Sequence, residues 1–168
     1  MILYELLKHV NKDLALLMVF FNLIQDAIGG INAVNTYKPL QLLGDTDYLK
    51  VFSPAQLQAM ALLSLKSHGV GFGIALMFFG CSCLALGCLI FESGFFPKLL
   101  GILMVITGAC YLLDSFAVIL SPPVASALFT VILPPAFIGE LSLALWLTVN
   151  GVNVPKWQEV AWSPTGLG

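Results

Sequence analysis

Three long apolar runs constrain this chain more than any other feature of its sequence. They cover about 69–92, 97–120 and 127–149, and charged side chains are scarce within them. A helix needs about 20 mainly apolar residues to cross the hydrocarbon core of a bilayer, which is about 30 Å thick. Each run is therefore predicted to form a transmembrane helix.

A fourth span is predicted over about 13–35, although this stretch is less uniformly apolar. Its first part is apolar, and its remainder carries several amide and carboxylate side chains. Two of them, Asn22 and Asp26, are four residues apart and so share one helical face. We expect this face to contact protein. The polar residues of the stretch are Asn22, Gln25, Asp26, Asn32 and Asn35.

The overall composition is that of a protein whose solvent is apolar. Of the 168 residues, 59% are hydrophobic and 10% are charged, whereas a soluble domain is about half apolar and about a quarter charged. A soluble fold of this size has too little interior to bury the excess, so a lipid bilayer is the predicted surrounding. The seven basic residues are scattered lysines that form no basic stripe, and nucleic acid is not an expected partner.

The stretch 36–53 is predicted to be the one substantial loop. Ser53 then has the character of an N-cap, and the helix that it begins would continue to Glu92. Such a helix would be about 58 Å long, which exceeds one bilayer crossing. We therefore predict an amphipathic or projecting helix over 54–67 and a bend near 68–71. The fold class is an all-α membrane bundle of about four transmembrane helices plus this extra helix.

Residues 1–153 are predicted to form a single transmembrane domain, and 154–168 a short tail at the membrane interface. The tail contains Trp157 and Trp162, and tryptophan favours the headgroup region. Lysines in short loops favour the cytoplasmic side, which places both termini in the cytoplasm of a bacterial or archaeal cell. The lysines on that side are Lys8, Lys12, Lys98 and Lys156.

Ionisable side chains at membrane depth are costly, so each is a candidate functional group. No lysine accompanies them there, so they require protonation, hydrogen-bond donors or a water-filled cavity. One interpretation is a proton or cation pathway, or a polar ligand pocket, in the outer half of the bundle. The other is a set of interhelical hydrogen bonds that hold the bundle together. The candidate cluster comprises Asp26, His68, Tyr111, Asp114 and Glu140.

Gly73, Gly80 and Gly87 recur every seven residues within one apolar run. Small residues at such a spacing allow another helix to approach closely in a membrane. These glycines are therefore predicted to form a helix-packing face, and a membrane protein partner or a second copy of the chain is a candidate occupant.

No metal site and no cofactor are expected from the sequence. Cys81 and Cys83 point to opposite sides of a helix, so they cannot ligate one ion together. His9 and His68 lie at opposite faces of the predicted bilayer, which excludes a bis-histidine haem within one chain. The sequence contains no HExxH, GxSxG or P-loop motif, so an enzyme is expected less than a non-enzymatic protein.

Several stretches of the chain resemble one bacterial and archaeal family of multi-pass membrane proteins, catalogued as domain of unknown function 4386. The stretches are LYELLKHVNKDLALL at 3–17, the run from SPAQLQAM to GILM at 53–104, YLLDSFA at 111–117 and PAFIGELSLALWLTVNGVN at 135–153. The resemblance extends from about Ile2 to Asn153. It implies a membrane helical fold and supplies no mechanism.

The resemblance also implies two departures from the family pattern. Family members are usually longer, with about two further helices before the stretch that matches LYELLKHVN, so this chain is expected to lack the family's first two helices. Members also tend to carry arginine at the position of Glu92, which weakens the charge bias that sets the orientation.

Three functions are compatible with these features. The first is a non-enzymatic accessory or structural subunit of a membrane assembly, held to its partner through the glycine face. The alternative is a small transporter or proton-coupled carrier that uses the intramembrane carboxylates. The third is an intramembrane enzyme that acts on a lipid-soluble substrate.

Overall fold

Every regular element among the residues that the structure describes is helical. The computed structural model describes residues 1–44 and 47–162, apart from the side chains of Pro122, Pro123 and Ser126. Four of its helices, α2 to α5, are long and apolar enough to cross a membrane, which confirms the predicted fold class. The helices are α1 (Ile2–Leu7), α2 (Lys12–Leu42), α3 (Pro54–Ser93), α4 (Lys98–Leu120), α5 (Pro122–Val149) and α6 (Val154–Ala161), with a 3-10 turn at Asp47–Leu49.

Helix α2 continues beyond the end that the sequence predicts, as far as Leu42. Two amide side chains of its outer part are paired with α3 or with each other. The Asn32 side chain is buried and donates to the backbone carbonyl of His68 at 2.9 Å, and Asn35 donates to Asn32 at 3.1 Å. The helix runs through both residues, and the predicted loop 36–53 shortens to 43–53.

Helix α3 is one continuous helix of 40 residues. The predicted cap at its start is confirmed, because the Ser53 hydroxyl accepts from the Gln56 amide and the Gln56 side chain accepts from the Ser53 amide. The separate helix predicted over 54–67 is the outer part of α3, with no interruption at 68–71. Gly71 marks a close contact rather than a chain break, since a Cβ there would overlap the Asn32 side chain.

The spanning helices form a row in chain order. Helix α2 packs on α3, α3 on α4, and α4 on α5, while α2 and α5 make no comparable contact with each other. Half of the most apolar stretch of α3 is buried, more than in the other three helices, because α3 packs extensively on both α2 and α4, whereas the contact of α4 with α5 is smaller. Helices α2 and α5 are therefore the two edges of the row.

The contact between α3 and α4 is made through paired glycines. A Cβ at Gly80 would lie 2.9 Å from the carbonyl oxygen of Gly108, and one at Gly87 would lie 2.8 Å from that of Gly101. Real Cβ atoms do not approach backbone oxygens so closely, so glycine is required for the helices to lie at this separation. Gly73 continues the same face against Val118. The predicted packing face is thus occupied by α4 of the same chain and is not free for a partner.

The inner end of the bundle, defined as the end that carries α1 and α6, holds most of its apolar core. The indole nitrogen of Trp157 in α6 donates to the carbonyl oxygen of Leu6 in α1 at 3.1 Å, and its ring meets the His9 ring edge-on. Trp162 is exposed, and residues 163–168 of the predicted tail lie outside the described residues. Core residues at this end include Leu7, Met18, Leu89, Ile90, Phe95 and Leu143.

Replacing Gly87 by alanine is expected to destabilise the bundle, whereas the same change at Gly30 is not. The added methyl group at Gly87 meets backbone atoms of α4, so the helices must separate, at a cost of about 1–3 kcal/mol. Gly30 has open space around it and gains helix propensity on substitution. The measurement is the thermal unfolding midpoint of each variant in mild detergent. Equal midpoints for the two variants would contradict the glycine contact.

Candidate functional site

A cavity of about 600 Å³ lies between the two edge helices and is called the lateral cleft. Helix α2 forms one wall, α5 the other, and α3 and α4 the back, while α1 lies at its inner end. The walls are mainly apolar, as in most binding sites for small organic molecules, and the volume is within the usual range for them. The polar residues that line it between α2 and α5 are Asn22, Asp26, Ser82 and Glu140.

The α2 wall owes its polar stripe to residues spaced by four. Met18, Asn22 and Asp26 lie on one helical face and all line the cleft. The Asn22 amide donates to the Met18 carbonyl at 3.1 Å and to the Ser82 hydroxyl, and Ser82 donates to the Met18 carbonyl at 3.1 Å. Asp26 makes no hydrogen bond and no ion pair with any described residue, and it is exposed to the cleft. Its carboxylate is thus available to a ligand.

The α5 wall is held against α4 by a glycine and two hydrogen bonds. A Cβ at Gly139 would overlap the Thr107 hydroxyl, so the missing side chain brings the two backbones together. Thr107 donates to the carbonyl oxygen of Ala136 at 3.2 Å, and the Tyr111 hydroxyl donates to Oε1 of Glu140 at 2.6 Å. These contacts hold the Glu140 carboxyl group at the cleft and leave its Oε2 without a partner among the described residues.

The structure places the five candidate residues in three locations. Asp26 and Glu140 line the lateral cleft, and Tyr111 is attached to Glu140. Asp114 lines a separate apolar cavity of about 200 Å³ between α3, α4 and α5. His68 lies against α2, with its Nδ1 atom 3.0 Å from the Thr36 hydroxyl. The residues do not form the single cluster described in the sequence analysis.

Asp114 has an unusual environment for a carboxyl group. It is 5% exposed, and its Oδ1 atom has no hydrogen-bond partner among the described residues. Such a group is expensive in an apolar surrounding unless it is neutral or paired. Because Asp114 lines the second cavity and not the lateral cleft, it belongs to a different site.

Some residues that build the site were not singled out as site residues by the sequence. Ser82 is a hydroxyl in an otherwise apolar run, and its signal is weak because such serines commonly bond within their own helix. Gly139 precedes Glu140, and a glycine next to an intramembrane carboxylate is a usable signal for close packing beside a polar site. The residues that the structure describes contain no group of three or more His, Cys, Asp or Glu side chains suited to hold a metal ion.

Comparison with known proteins identifies the family of the chain. The family described as Domain of unknown function (DUF4386) matches residues 1–151. The chain belongs to this family. A relative from Archaeoglobus fulgidus, described as an uncharacterized protein, is 26% identical over 149 residues, which cover 89% of this chain and 72% of the archaeal protein. No solved structure matches the chain.

The DUF4386 match contains every residue that lines the lateral cleft, so the cleft lies within the part of the chain that matches the family. The expected absence of two family helices stays a prediction.

Replacing Asp114 by leucine is expected to stabilise the protein. Leucine has the same branched shape and is slightly larger, so it extends into the adjoining cavity, and it removes a buried acceptor whose missing partner costs about 1–3 kcal/mol. Asp114→Asn is the control, because it keeps a polar group at the same place and gains little. The measurement is the unfolding midpoint in detergent, and a lower midpoint for Asp114→Leu would show that the carboxyl group is paired in the membrane.

Replacing Tyr111 by phenylalanine is expected to lower stability by about 1–3 kcal/mol, because the hydrogen bond to the Glu140 carboxyl group is lost. The matched control is Tyr37→Phe, since Tyr37 is 59% exposed and its side chain makes no hydrogen bond among the described residues. Equilibrium unfolding in mixed micelles gives both values. Indistinguishable results for the two variants would show that the bond contributes nothing.

Proposed function

We propose that the protein binds a membrane-soluble organic molecule in the lateral cleft, as the binding step of a small carrier. The observation that supports this most is the placement of two carboxyl groups, Asp26 and Glu140, in the walls of one cavity. Intramembrane ionisable groups mark substrate and ion pathways in transporters. The proposal corresponds to the carrier among the functions inferred from the sequence.

The depth of these two residues also supports a carrier. Asp26 lies about 21 Å along α2 from Lys12, and Glu140 lies about 14 Å along α5 from Val149. Since half of the hydrocarbon core is about 15 Å thick, both carboxyl groups fall near the middle of the bilayer. Substrate sites of secondary transporters lie near the midplane.

The other two functions have less structural support. An accessory subunit was expected to bind its partner through Gly73, Gly80 and Gly87, and α4 covers that face. For an intramembrane enzyme, the candidate histidine His68 lies against Thr36 of α2 and is not among the residues that line the lateral cleft. The partner of an accessory subunit stays a prediction.

The orientation with both termini in the cytoplasm is part of this proposal. An even number of crossings puts both termini on one side, and four lysines accompany that side. On the opposite side, Lys38 and Lys50 lie near the 3-10 turn, with Lys66 in the outer part of α3. The inner end of the cleft would then face the cytoplasm.

Binding in the cleft can be tested with N-phenyl-1-naphthylamine, a neutral apolar fluorophore. The purified protein in lipid nanodiscs is expected to bind it saturably above the level of empty nanodiscs. Ala144→Trp fills the cleft and should weaken binding by about tenfold or more, which corresponds to about 1.4 kcal/mol.

The matched control is Ala109→Trp, because Ala109 is an exposed residue of α4 that does not line the cleft. This variant should bind the fluorophore as the wild-type protein does. Absence of saturable binding to the wild-type protein, or equal loss in both tryptophan variants, would overturn the proposed function.

A further inference from the structure

The polar groups that the cleft offers between α2 and α5 are hydrogen-bond acceptors. The donors there are already used inside the protein, since the Asn22 amide and the Ser82 hydroxyl donate to α2 and α3 atoms, and the Tyr111 hydroxyl donates to Glu140. The atoms left over are the Asn22 carbonyl oxygen, the Asp26 carboxylate and Oε2 of Glu140. A ligand that satisfies them must bring donors or positive charge.

The carboxyl groups have no basic side chain beside them within the site, and the Met1 amino group lines the cleft at its inner end, beside α1. Among the described residues that line the cleft, none is Lys, Arg or His, and neither Asp26 nor Glu140 forms an ion pair with a described residue. An unpaired carboxylate in an apolar surrounding is strongly unfavourable. A cationic ligand would supply positive charge beside Asp26 and Glu140, where no basic side chain lies.

The order of polar and apolar parts along the cleft identifies the shape of such a ligand. The inner part, beside Leu3 and Leu147, is mainly apolar apart from Tyr4 and the Met1 amino group, and the two carboxyl groups of Asp26 and Glu140 lie deeper. A phospholipid has the reverse arrangement, with its charged headgroup at the interface and its chains toward the midplane. The cleft therefore fits a molecule whose charge sits at the midplane end and whose apolar body lies toward α1.

We propose that the ligand of the lateral cleft is a hydrophobic organic monocation whose charged group lies between Asp26 and Glu140. This inference rests on the proposed binding function and names its substrate class. One positive charge placed there lies close to both carboxyl groups, whereas a neutral molecule leaves them without a counter-charge.

The test compares tetraphenylphosphonium with tetraphenylborate, two ions of the same shape and opposite charge, in nanodiscs of neutral lipid. The wild-type protein is expected to bind the cation at least about tenfold more tightly than the anion, above empty nanodiscs. The double variant with Asp26→Asn and Glu140→Gln should lose this preference. The control Asp114→Asn, which changes a carboxyl group outside the cleft, should retain it.

Binding of N-phenyl-1-naphthylamine is measured on the same samples to separate the two proposals. If the neutral fluorophore binds and the double variant keeps it while losing the cation, the inference stands. Two results would overturn the inference while the binding function survives, provided that the fluorophore binds. Either the wild-type protein does not prefer the cation, or the double variant binds the cation as tightly as the wild-type protein does. If no probe binds the wild-type protein, both are overturned.

Discussion

The close contact between the glycines of α3 and α4 is the constraint on which the rest of the bundle depends. In lipid the helices gain nothing from burying apolar side chains against one another, so association rests on close packing and on hydrogen bonds. Gly80 and Gly87 meet Gly108 and Gly101 backbone to backbone. Helix α2 is then attached to α3 by amide and hydroxyl groups, and α5 to α4 by Gly139 and its neighbours. The lateral cleft is the space left between the two outermost attachments.

The sequence predicts the spanning helices well because apolar length is a local property. It predicts the packing face of α3 from a seven-residue glycine repeat, but not the helix that occupies it. The same repeat occurs on α4 at Gly101 and Gly108, and the two repeats run in register between antiparallel helices. The matching spacing of the two glycine repeats is a sequence signal that α4 packs on this face of α3. The pairing of Asn32 in the outer part of α2 with the His68 carbonyl of α3 is instead a contact between helices, and no local pattern reveals it.

The sequence predicts how deep the candidate site residues lie in the bilayer, but not which way their side chains face. Counting residues from the ends of each apolar run places Asp26 and Glu140 near the midplane, and the structure puts both in the cleft. The same count cannot tell which way a side chain faces around its helix axis. That orientation is set by packing, and it places Asp114 in a separate cavity and His68 against α2. Composition and spacing therefore identify candidate residues, and the rotation of each helix about its axis decides which of them line the cleft.

The length of α3 has a mechanical consequence. At about 60 Å, α3 exceeds the full bilayer thickness of about 40–45 Å, so its outer turns reach beyond the membrane. The outer turns of α2 are bonded to α3 through Asn35, which accepts from Ser64 at 2.9 Å. Because α2 is a single helix that also carries Asp26, the hairpin formed by the outer turns of α2 and α3 is continuous with one wall of the cleft. A tilt imposed on the hairpin from outside would change the separation of Asp26 and Glu140 at the midplane.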